Sequence, residues 1–256
     1  MSPPTHPPPP TRTLHTNPPA VVITGPSAGT IGGATATALA AANPKELLLL
    51  GRTESKIAPV LAAIKTINPA VSARFVELDL GSLASVRDAA RVVNESVARV
   101  DVLINNAGIM AVREYAKTED GVESQFATNY LGHFLLTKLL VEKIAAAGEG
   151  ARVVNLASLA YELEEFRFGD WNFEVCVRGQ GGVFLPHPDL GWVVGWNAAD
   201  VRIKDGKTYN PWSAYGQSKT AIILFTHGLA RRLGGRGIYS FSVQPGCRSY
   251  RLPVCR

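Results

Sequence analysis

The sequence VVITGPSAGTIG, at residues 21–32, indicates the fold of this chain. It begins with β-branched apolar residues, typical of a buried strand, and continues into a turn that contains two glycines. Glycine lets such a turn bend sharply and approach a pyrophosphate, while the next helix presents free N–H groups and a positive dipole. Many strand-to-helix turns hold two glycines, so the turn alone is weak support for nucleotide binding. The residues expected to contact the nucleotide are Gly25, Ser27, Gly29, Ile31 and Gly32.

The alternation of strand and helix patterns continues through most of the chain. Short apolar runs predict strands at residues 21–23, 46–50, 74–78, 102–104, 152–156 and 238–243. Helical patterns lie between them, at residues 31–42, 54–67, 82–99, 124–147 and 212–233. Strands that are apolar throughout, each followed by a helix, form a parallel sheet covered on both faces. The sequence therefore predicts a doubly wound α/β fold.

Composition restricts the class of protein. The chain is 46% hydrophobic and 18% charged, as expected of a globular domain, and residues 19–256 are predicted to form one. The net charge is +5, but the basic residues are scattered, so we expect no nucleic-acid partner. Residues 1–18 are rich in proline, which predicts a disordered or polyproline II tail. Docking of this tail to a proline-binding domain is the alternative.

The cysteines and the apolar runs bear on the compartment. Cys176, Cys247 and Cys255 are too few for a disulfide framework or a metal site, which suits a reducing compartment. No run of about 18 apolar residues predicts an integral membrane segment, and the N-terminus lacks the pattern of a signal peptide. We expect a soluble cytoplasmic protein, and a peripheral membrane association stays open.

The end of the second predicted strand bears on the choice of cofactor. Folds that prefer NAD usually carry an acidic residue there, about 20 residues after the glycine turn, which binds the ribose 2′-hydroxyl. Here the strand ends at Gly51 and Arg52, with Lys56 one turn later. A cation suits a 2′-phosphate, so we expect NADP(H) rather than NAD(H). A solvated arginine at a strand end is the alternative.

Tyr215 and Lys219 are four residues apart in the last predicted helix, and so share one of its faces. A lysine ammonium favours the ionised phenolate, so we expect it to lower the pKa of Tyr215. A tyrosine tuned in this way donates a proton to a carbonyl oxygen or takes one from an alcohol. On its own, the same spacing usually belongs to the surface of an ordinary amphipathic helix, so the pair alone is weak evidence of catalysis.

These features occur in one order along the chain, together with Asp79-Leu80 after strand three, Asn105-Asn106-Ala107-Gly108 after strand four, Asn129 and Ser158. In this order they resemble the short-chain dehydrogenase/reductase family, which has a Rossmann fold. The sequences NYLGHF at 129–134 and PWSAY at 211–215 look like its retinol-dehydrogenase and WW-domain-oxidoreductase-like branch. The resemblance covers about residues 20–246.

The resemblance implies roles for the polar residues. Tyr215 would be the general acid/base, Lys219 would hold the nicotinamide ribose, and Ser158 would bind the substrate oxygen. Asn129 would hold a water in a proton relay toward Lys219. His133 is interpreted as a packed helix histidine rather than a catalytic one.

The resemblance also implies cofactor contacts. Asp79 would accept a hydrogen bond from the adenine amino group, and the loop of Asn106, Ala107 and Gly108 would run along the dinucleotide. The other residues assigned to the cofactor by this resemblance are Leu80, Pro245 and Gly246, together with Tyr215 and Lys219.

Three departures from the family pattern stand out. Thr30 replaces a frequent glycine of the turn, and we expect its Cβ to weaken cofactor binding. Residues 174–203 form an atypical insert between Ser158 and Tyr215, interpreted as a translated intron or similar error, with an active-site lid as the alternative. The family pattern stops after Gly246, and the atypical tail 247–256 predicts a fold that is incomplete at its C-terminal end.

The sequence thus predicts an NADP(H)-dependent oxidoreductase that interconverts a carbonyl and an alcohol. The expected partner is a small, apolar carbonyl or alcohol substrate, with homodimer formation through the two long helices. A catalytically impaired nucleotide-binding or interaction protein is the alternative. A sugar-nucleotide epimerase is disfavoured by the glycine spacing and by the 105–108 sequence.

Overall fold

The structure is a computed structural model that describes residues 18–174 and 209–245. The predictions for most of the proline-rich tail, for nearly all of the insert, for Gly246 and for the segment after it lie outside these residues. Within them, no helix is both long and apolar enough to cross a membrane.

In the described part of the chain, six parallel strands form one sheet in the order β3-β2-β1-β4-β5-β6. Their bounds are β1 Ala20–Thr24, β2 Glu46–Gly51, β3 Ser72–Glu77, β4 Val102–Asn105, β5 Arg152–Leu156 and β6 Tyr239–Val243. The order reverses between β1 and β4, which are direct neighbours. Each of these strands was predicted, and the doubly wound parallel sheet is confirmed. In such a sheet, ligands bind where the order reverses, beyond the carboxyl ends of the strands.

The helices cover both faces of the sheet. They are α1 Ile31–Ala41, α2 Glu54–Ile67, α3 Leu83–Ser96, α4 Ser124–Phe126, α5 Gly132–Ala146 and α6 Pro211–Leu233. Alternate residues of each strand point to opposite faces. Thus Val22, Leu48 and Leu50 pack under α3 and α5 in one core, while Val21 and Ile23 pack under α1 and α2 in the other. Fully burying each such side chain contributes about 1.5–3 kcal/mol.

The long helix predicted at 124–147 is interrupted. Between α4 and α5 the chain forms a π-turn over Ala127–Leu131, in which Asn129 is fully buried. The side chain of Asn129 bonds to a neighbouring loop, and its carbonyl oxygen accepts a hydrogen bond from His133 one turn later. Sequence periodicity does not distinguish a π-turn from continuous α-helix, and such turns occur frequently at functional sites. Helix α3 also ends three residues earlier than predicted, because it ends at Ser96.

Thr30 serves as the N-cap of α1. Its hydroxyl accepts a hydrogen bond from Gly33 N at 3.2 Å and donates one to Ser27 O at 2.7 Å. A capping side chain of this kind satisfies an otherwise unpaired N–H group and stabilises a helix by about 1 kcal/mol. The residue that departs from the family pattern therefore has a structural role here, and weakened cofactor binding stays a prediction.

The two described segments meet beside the insert. The rings of Phe173 and Tyr209 are 5.7 Å apart, and Tyr115 packs against Tyr209 at 5.4 Å. Tyr115 also donates a hydrogen bond to Asn172 O, and Tyr209 donates one to Val112 O. The chain positions on either side of residues 175–208 are therefore held together by their own contacts.

Deleting residues 175–203 is expected to leave the free energy of unfolding unchanged or to raise it by about 1–2 kcal/mol. The anchors at Phe173 and Tyr209 persist, and a shorter connection loses less entropy on closure. Urea unfolding followed by circular dichroism measures this. The control replaces the same residues with a Gly-Ser linker of equal length. A less stable deletion variant would show that these residues contribute to the fold.

Candidate active site

A cavity of about 440 Å³ lies at the carboxyl ends of the strands. Eleven residues that the sequence assigned to the cofactor line it: Gly25, Ser27, Gly29, Ile31, Gly32, Arg52, Asp79, Leu80, Asn106, Ala107 and Gly108. Thr53, Thr128 and Ile109 also line the cavity, and the sequence patterns had not singled them out. Tyr215, Lys219 and Pro245 are not among the lining residues, and Gly246 lies outside the described residues.

The glycine turn lies against the loop that follows β4. Gly25 has a φ of +67°, and a Cβ on it would lie 2.8 Å from the Cβ of Ala107. A Cβ on Gly32 would lie 2.3 Å from the side-chain amide nitrogen of Asn106, which donates to Thr24 O at 2.7 Å. Glycine is therefore required at both positions for the turn and the loop to approach each other, and this close approach shapes the cavity.

The β2 end of the cavity is cationic. Its lining residues are Gly51, Arg52, Thr53 and Lys56, none of which carries a carboxylate. Lys56 O accepts a hydrogen bond from Ala28 N at 3.0 Å, which joins the start of α2 to the glycine turn. The arginine and the lysine thus line the cavity wall at the position where an acidic residue would bind a ribose hydroxyl.

Asp79 lies just after β3 and lines the same cavity. One of its carboxylate oxygens accepts from Gly81 N at 2.8 Å, and its own N–H donates to the hydroxyl of Ser85. The turn around Asp79 is thereby fixed by local hydrogen bonds. Its contact with an adenine amino group stays a prediction.

Ser158, Tyr215 and Lys219 meet at the β5 end of the site. Lys219 is 4% exposed, and its Nζ donates a hydrogen bond to Leu156 O at 2.8 Å. Leu156 lines the cavity. The same nitrogen lies 5.5 Å from the centroid of the Tyr215 ring. Ser158 follows β5, and its side chain lies near enough to the Tyr215 hydroxyl to lower the pKa of that phenol. The structure thus brings together three residues that are far apart in the sequence.

The expected lowering of the Tyr215 pKa was wrong for the protein alone. Burial raises the pKa of Tyr215, and the neighbouring Ser158 side chain only partly opposes this effect. Burial also lowers the pKa of Lys219 to about 8, because a charged ammonium is costly in this environment. The sequence pattern gave the spacing of the pair but not its desolvation, which depends on how α6 packs against β5.

Asn129 bridges the loop after β4 to α6. Its side-chain amide donates to Ile109 O and to the hydroxyl of Ser218, both at 2.9 Å, and its oxygen accepts from Ile109 N at 2.8 Å. Both amide hydrogens are therefore used within the protein. The predicted water-holding role is untested by these contacts, whereas Ser218 is a partner that the sequence had not indicated.

The start of α6 is fixed by the segment before the insert. Gln217 is fully buried, donates to Trp171 O at 2.9 Å and accepts from Arg167 N at 3.2 Å. Gly216 lies so close to Ala160 O that a Cβ would be 2.7 Å from it. These two residues lie between Tyr215 and Lys219 and orient the helix that carries them. Only the structure shows this role.

A doubly wound sheet with a dinucleotide-type cavity and a Ser-Tyr-Lys cluster at its edge is the arrangement of a nucleotide-dependent oxidoreductase. A family model described as short chain dehydrogenase matches residues 19–168. The chain belongs to the short-chain dehydrogenase/reductase family.

Curated relatives agree with this assignment. The chain is 36% identical over 234 residues to oxidoreductase fscI of Fusarium equiseti, with 88% of this chain and 85% of that protein covered. It is 38% identical over 228 residues to human retinol dehydrogenase 13, with 88% of this chain but 58% of that protein covered. The resemblance to the retinol-dehydrogenase branch is confirmed. The chain spans little more than half the length of the retinol dehydrogenases that it matches.

Solved structures confirm the fold. An alcohol dehydrogenase from Comamonas testosteroni, specific for bulky-bulky ketones, superposes with a TM-score of 0.63 at 18% identity, covering 90% of this chain and 72% of that one. A short-chain dehydrogenase from Sphingobium yanoikuyae in complex with NADPH gives a TM-score of 0.61 at 22% identity, covering 89% and 70%. At these identities the likeness concerns the fold alone.

Proposed function

We propose that the chain is an NADP(H)-dependent oxidoreductase that interconverts a carbonyl and an alcohol. The observation that carries this proposal is that Lys219, beside Tyr215, bonds to Leu156 O in the cavity wall at β5, while Arg52 lines the cavity at β2. Strands β5 and β2 are three strand spacings apart, about 14 Å. This separation matches an extended dinucleotide whose reactive ring lies at β5 and whose adenosine lies at β2.

The residues present fit such a dinucleotide. The positive φ of Gly25 and the close approach at Gly32 keep side chains out of the cradle at the N-terminus of α1, where a pyrophosphate would bind. Arg52 and Lys56 would hold a 2′-phosphate, and Asp79 the adenine amino group. Lys219 would bind the nicotinamide ribose hydroxyls, and Pro245, two residues after β6, would lie at the same end of the dinucleotide. When bound, the cofactor supplies or accepts the hydride.

Tyr215 serves as the general acid in this proposal. Its raised pKa keeps the phenol protonated near neutral pH, so it is ready to donate to a carbonyl oxygen. Ser158 orients that oxygen by a second hydrogen bond. In the direction of alcohol oxidation, the same phenol has to lose its proton first. Burial opposes that ionisation.

A small, apolar substrate suits the entrance to the site. The Trp212 ring packs edge-on against Tyr215, with centroids 6.3 Å apart, and Met110 is 61% exposed at the end of the loop after β4. These side chains offer apolar contacts and little charge to a substrate. The names of the retinol dehydrogenases among the relatives agree with an apolar substrate class.

Self-association through the long helices is the second part of the proposal. A groove of about 590 Å³ lies between α5 and α6. It is lined largely by apolar side chains, including Tyr130, Phe134, Val141, Phe225 and Leu229. A second copy of the chain would cover this surface, in agreement with the expected homodimer.

Replacing Arg52 with serine is expected to weaken NADPH binding by about 10- to 100-fold and to leave NADH binding within about twofold. The variant removes a charge-assisted hydrogen bond that only a 2′-phosphate accepts. Titration of the cofactor fluorescence measures both dissociation constants, with Arg87→Ser on the outer surface of α3 as the matched control. An unaltered chain that prefers NADH would contradict the assignment. Binding of NADPH without turnover of any carbonyl would favour the impaired, nucleotide-binding alternative.

A further inference from the structure

His133 is a buried histidine that the proton transfer proposed above does not use. It lies in the first turn of α5 and is 3% exposed. Its Nδ1 is 2.8 Å from Asn129 O, and its Nε2 is 2.9 Å from the hydroxyl of Thr24. A carbonyl oxygen only accepts hydrogen bonds, so Nδ1 carries the hydrogen and Nε2 accepts from Thr24. Burial lowers the pKa of His133 to about 4, which agrees with a neutral ring.

The Thr24 hydroxyl uses its whole hydrogen-bonding capacity in three contacts. Its hydroxyl accepts from Asn106 N and from Ala107 N, both at 3.0 Å. A hydroxyl has one hydrogen and two lone pairs, so its hydrogen is directed to His133. The imidazole therefore sets the orientation in which Thr24 receives the two amides.

The same loop is held at its other end by Asn129. The Asn129 side chain forms paired hydrogen bonds with the N–H and the carbonyl of Ile109. The four residues 106–109 all line the cavity. One imidazole thus contacts two of the residues that hold this loop, through the Thr24 hydroxyl in β1 and the Asn129 backbone carbonyl in the π-turn.

We propose that His133 is a positioning residue that links Thr24 to Asn129 and thereby fixes the loop of residues 106–109 in the geometry that binds the dinucleotide. The effect on the dinucleotide rests on the proposed function, whereas the effect on the loop does not. His133 touches neither substrate nor cofactor in this account. It acts through the Thr24 hydroxyl and the Asn129 backbone carbonyl, to which its two ring nitrogens bond.

Two substitutions separate the two contacts. In His133→Asn the side-chain nitrogen replaces Nδ1 and keeps the bond to Asn129 O, but the acceptor for Thr24 is lost. In His133→Gln the side-chain oxygen replaces Nε2 and keeps the bond from Thr24, but the donor to Asn129 is lost. Each variant is therefore expected to release a different end of the loop.

Amide hydrogen exchange measured by NMR on the chain without cofactor tests the proposal. In His133→Asn, exchange at Asn106 and Ala107 is expected to accelerate by about tenfold or more, with Ile109 little changed. In His133→Gln the pattern is expected to reverse, with faster exchange at Ile109. A general loss of packing around the ring would accelerate all three amides in both variants, and this result would overturn the proposal.

A double-mutant cycle with Thr24 gives a second measurement. Thr24→Val keeps the shape of the side chain and removes its hydroxyl, so it is expected to reproduce the effect of His133→Asn on Asn106 and Ala107. The double variant is expected to be no worse than Thr24→Val alone, because His133 acts on these amides through Thr24. Additive effects would overturn the proposal.

Cofactor binding is the functional measurement. The dissociation constants of both NADPH and NADH are expected to rise by about 5- to 30-fold in His133→Asn, since the loop lines the cavity for either dinucleotide. If the unaltered chain binds neither dinucleotide, the proposed function fails, and the exchange pattern still decides the role of His133.

Thr137→Val is the matched control. Thr137 lies one turn after His133, is 1% exposed and accepts a hydrogen bond from the Asn105 side chain at 3.1 Å. Its replacement removes a buried hydrogen bond from the same helix without touching the loop, so exchange at Asn106, Ala107 and Ile109 is expected to stay unchanged. Equal acceleration in this control, or unfolding of His133→Asn while Thr137→Val stays folded, would make His133 a packing residue and overturn the proposal.

Discussion

Replacing Tyr215 with phenylalanine is expected to lower the turnover of a carbonyl substrate by about 100- to 10,000-fold, the usual contribution of a positioned general acid. The variant keeps the ring, its edge-on contact with Trp212 and its packing beside Lys219. It removes only the hydroxyl, whose pKa the neighbouring Ser158 side chain affects. Turnover is measured by the absorbance of NADPH over a panel of aldehydes and ketones, and NADPH binding by fluorescence titration.

Comparing the loss of turnover with the change in NADPH binding distinguishes a general acid from a cofactor-binding residue. We expect the dissociation constant of NADPH to change far less than turnover, because the hydroxyl acts on the substrate oxygen. Tyr130→Phe is the control: it removes a half-buried tyrosine hydroxyl in the π-turn, where the Tyr130 ring packs against Phe126. A Tyr215→Phe variant with normal turnover would exclude this residue as the general acid. A variant that loses NADPH binding to the same extent as turnover would assign it to cofactor binding instead.

The sheet and most of the site follow from short-range patterns. Continuous apolar runs mark the central strands β1, β2 and β4, because a parallel sheet is buried on both faces and needs no alternation. The edge strands β3 and β6 are more polar and more exposed. Once the strands are parallel and in order, their carboxyl ends lie at one edge. Residues that directly follow strands, such as Arg52, Asp79 and Asn106, therefore come together without any knowledge of side-chain packing.

The features that could not be predicted depend on contacts between distant elements. The π-turn forms where Asn129 bonds to Ile109 and to Ser218. The hydrophobic periodicity of the helix sequence does not indicate either contact. The raised pKa of Tyr215 reflects burial by α6 packing, whereas spacing along a helix reports only the proximity of Lys219. Likewise, an apolar-face histidine is ordinarily a packed residue, and only the structure shows what His133 joins.

Replacing Gly32 with alanine is expected to weaken the binding of NADPH and of NADH by at least about 100-fold and to lower the free energy of unfolding by about 1–3 kcal/mol. A Cβ at this position would lie 2.3 Å from the Asn106 side-chain nitrogen and 2.6 Å from Gly25 O. The second of these atoms belongs to the backbone of the glycine turn, so the turn itself has to move. Displacing Asn106 also breaks its 2.7 Å hydrogen bond to Thr24 O.

The comparison of two glycines distinguishes this steric effect from a general cost of substitution. Gly235 lies in the turn after α6, where a Cβ would meet nothing within 4 Å, so Gly235→Ala is expected to change neither stability nor binding. Urea unfolding and fluorescence titration of both dinucleotides are measured on the two variants side by side. Because Gly25 and Asn106 both line the cavity, a shift at Gly32 alters its wall on two sides at once. Normal dinucleotide binding in a folded Gly32→Ala variant would therefore show that the ligand does not bind at this turn.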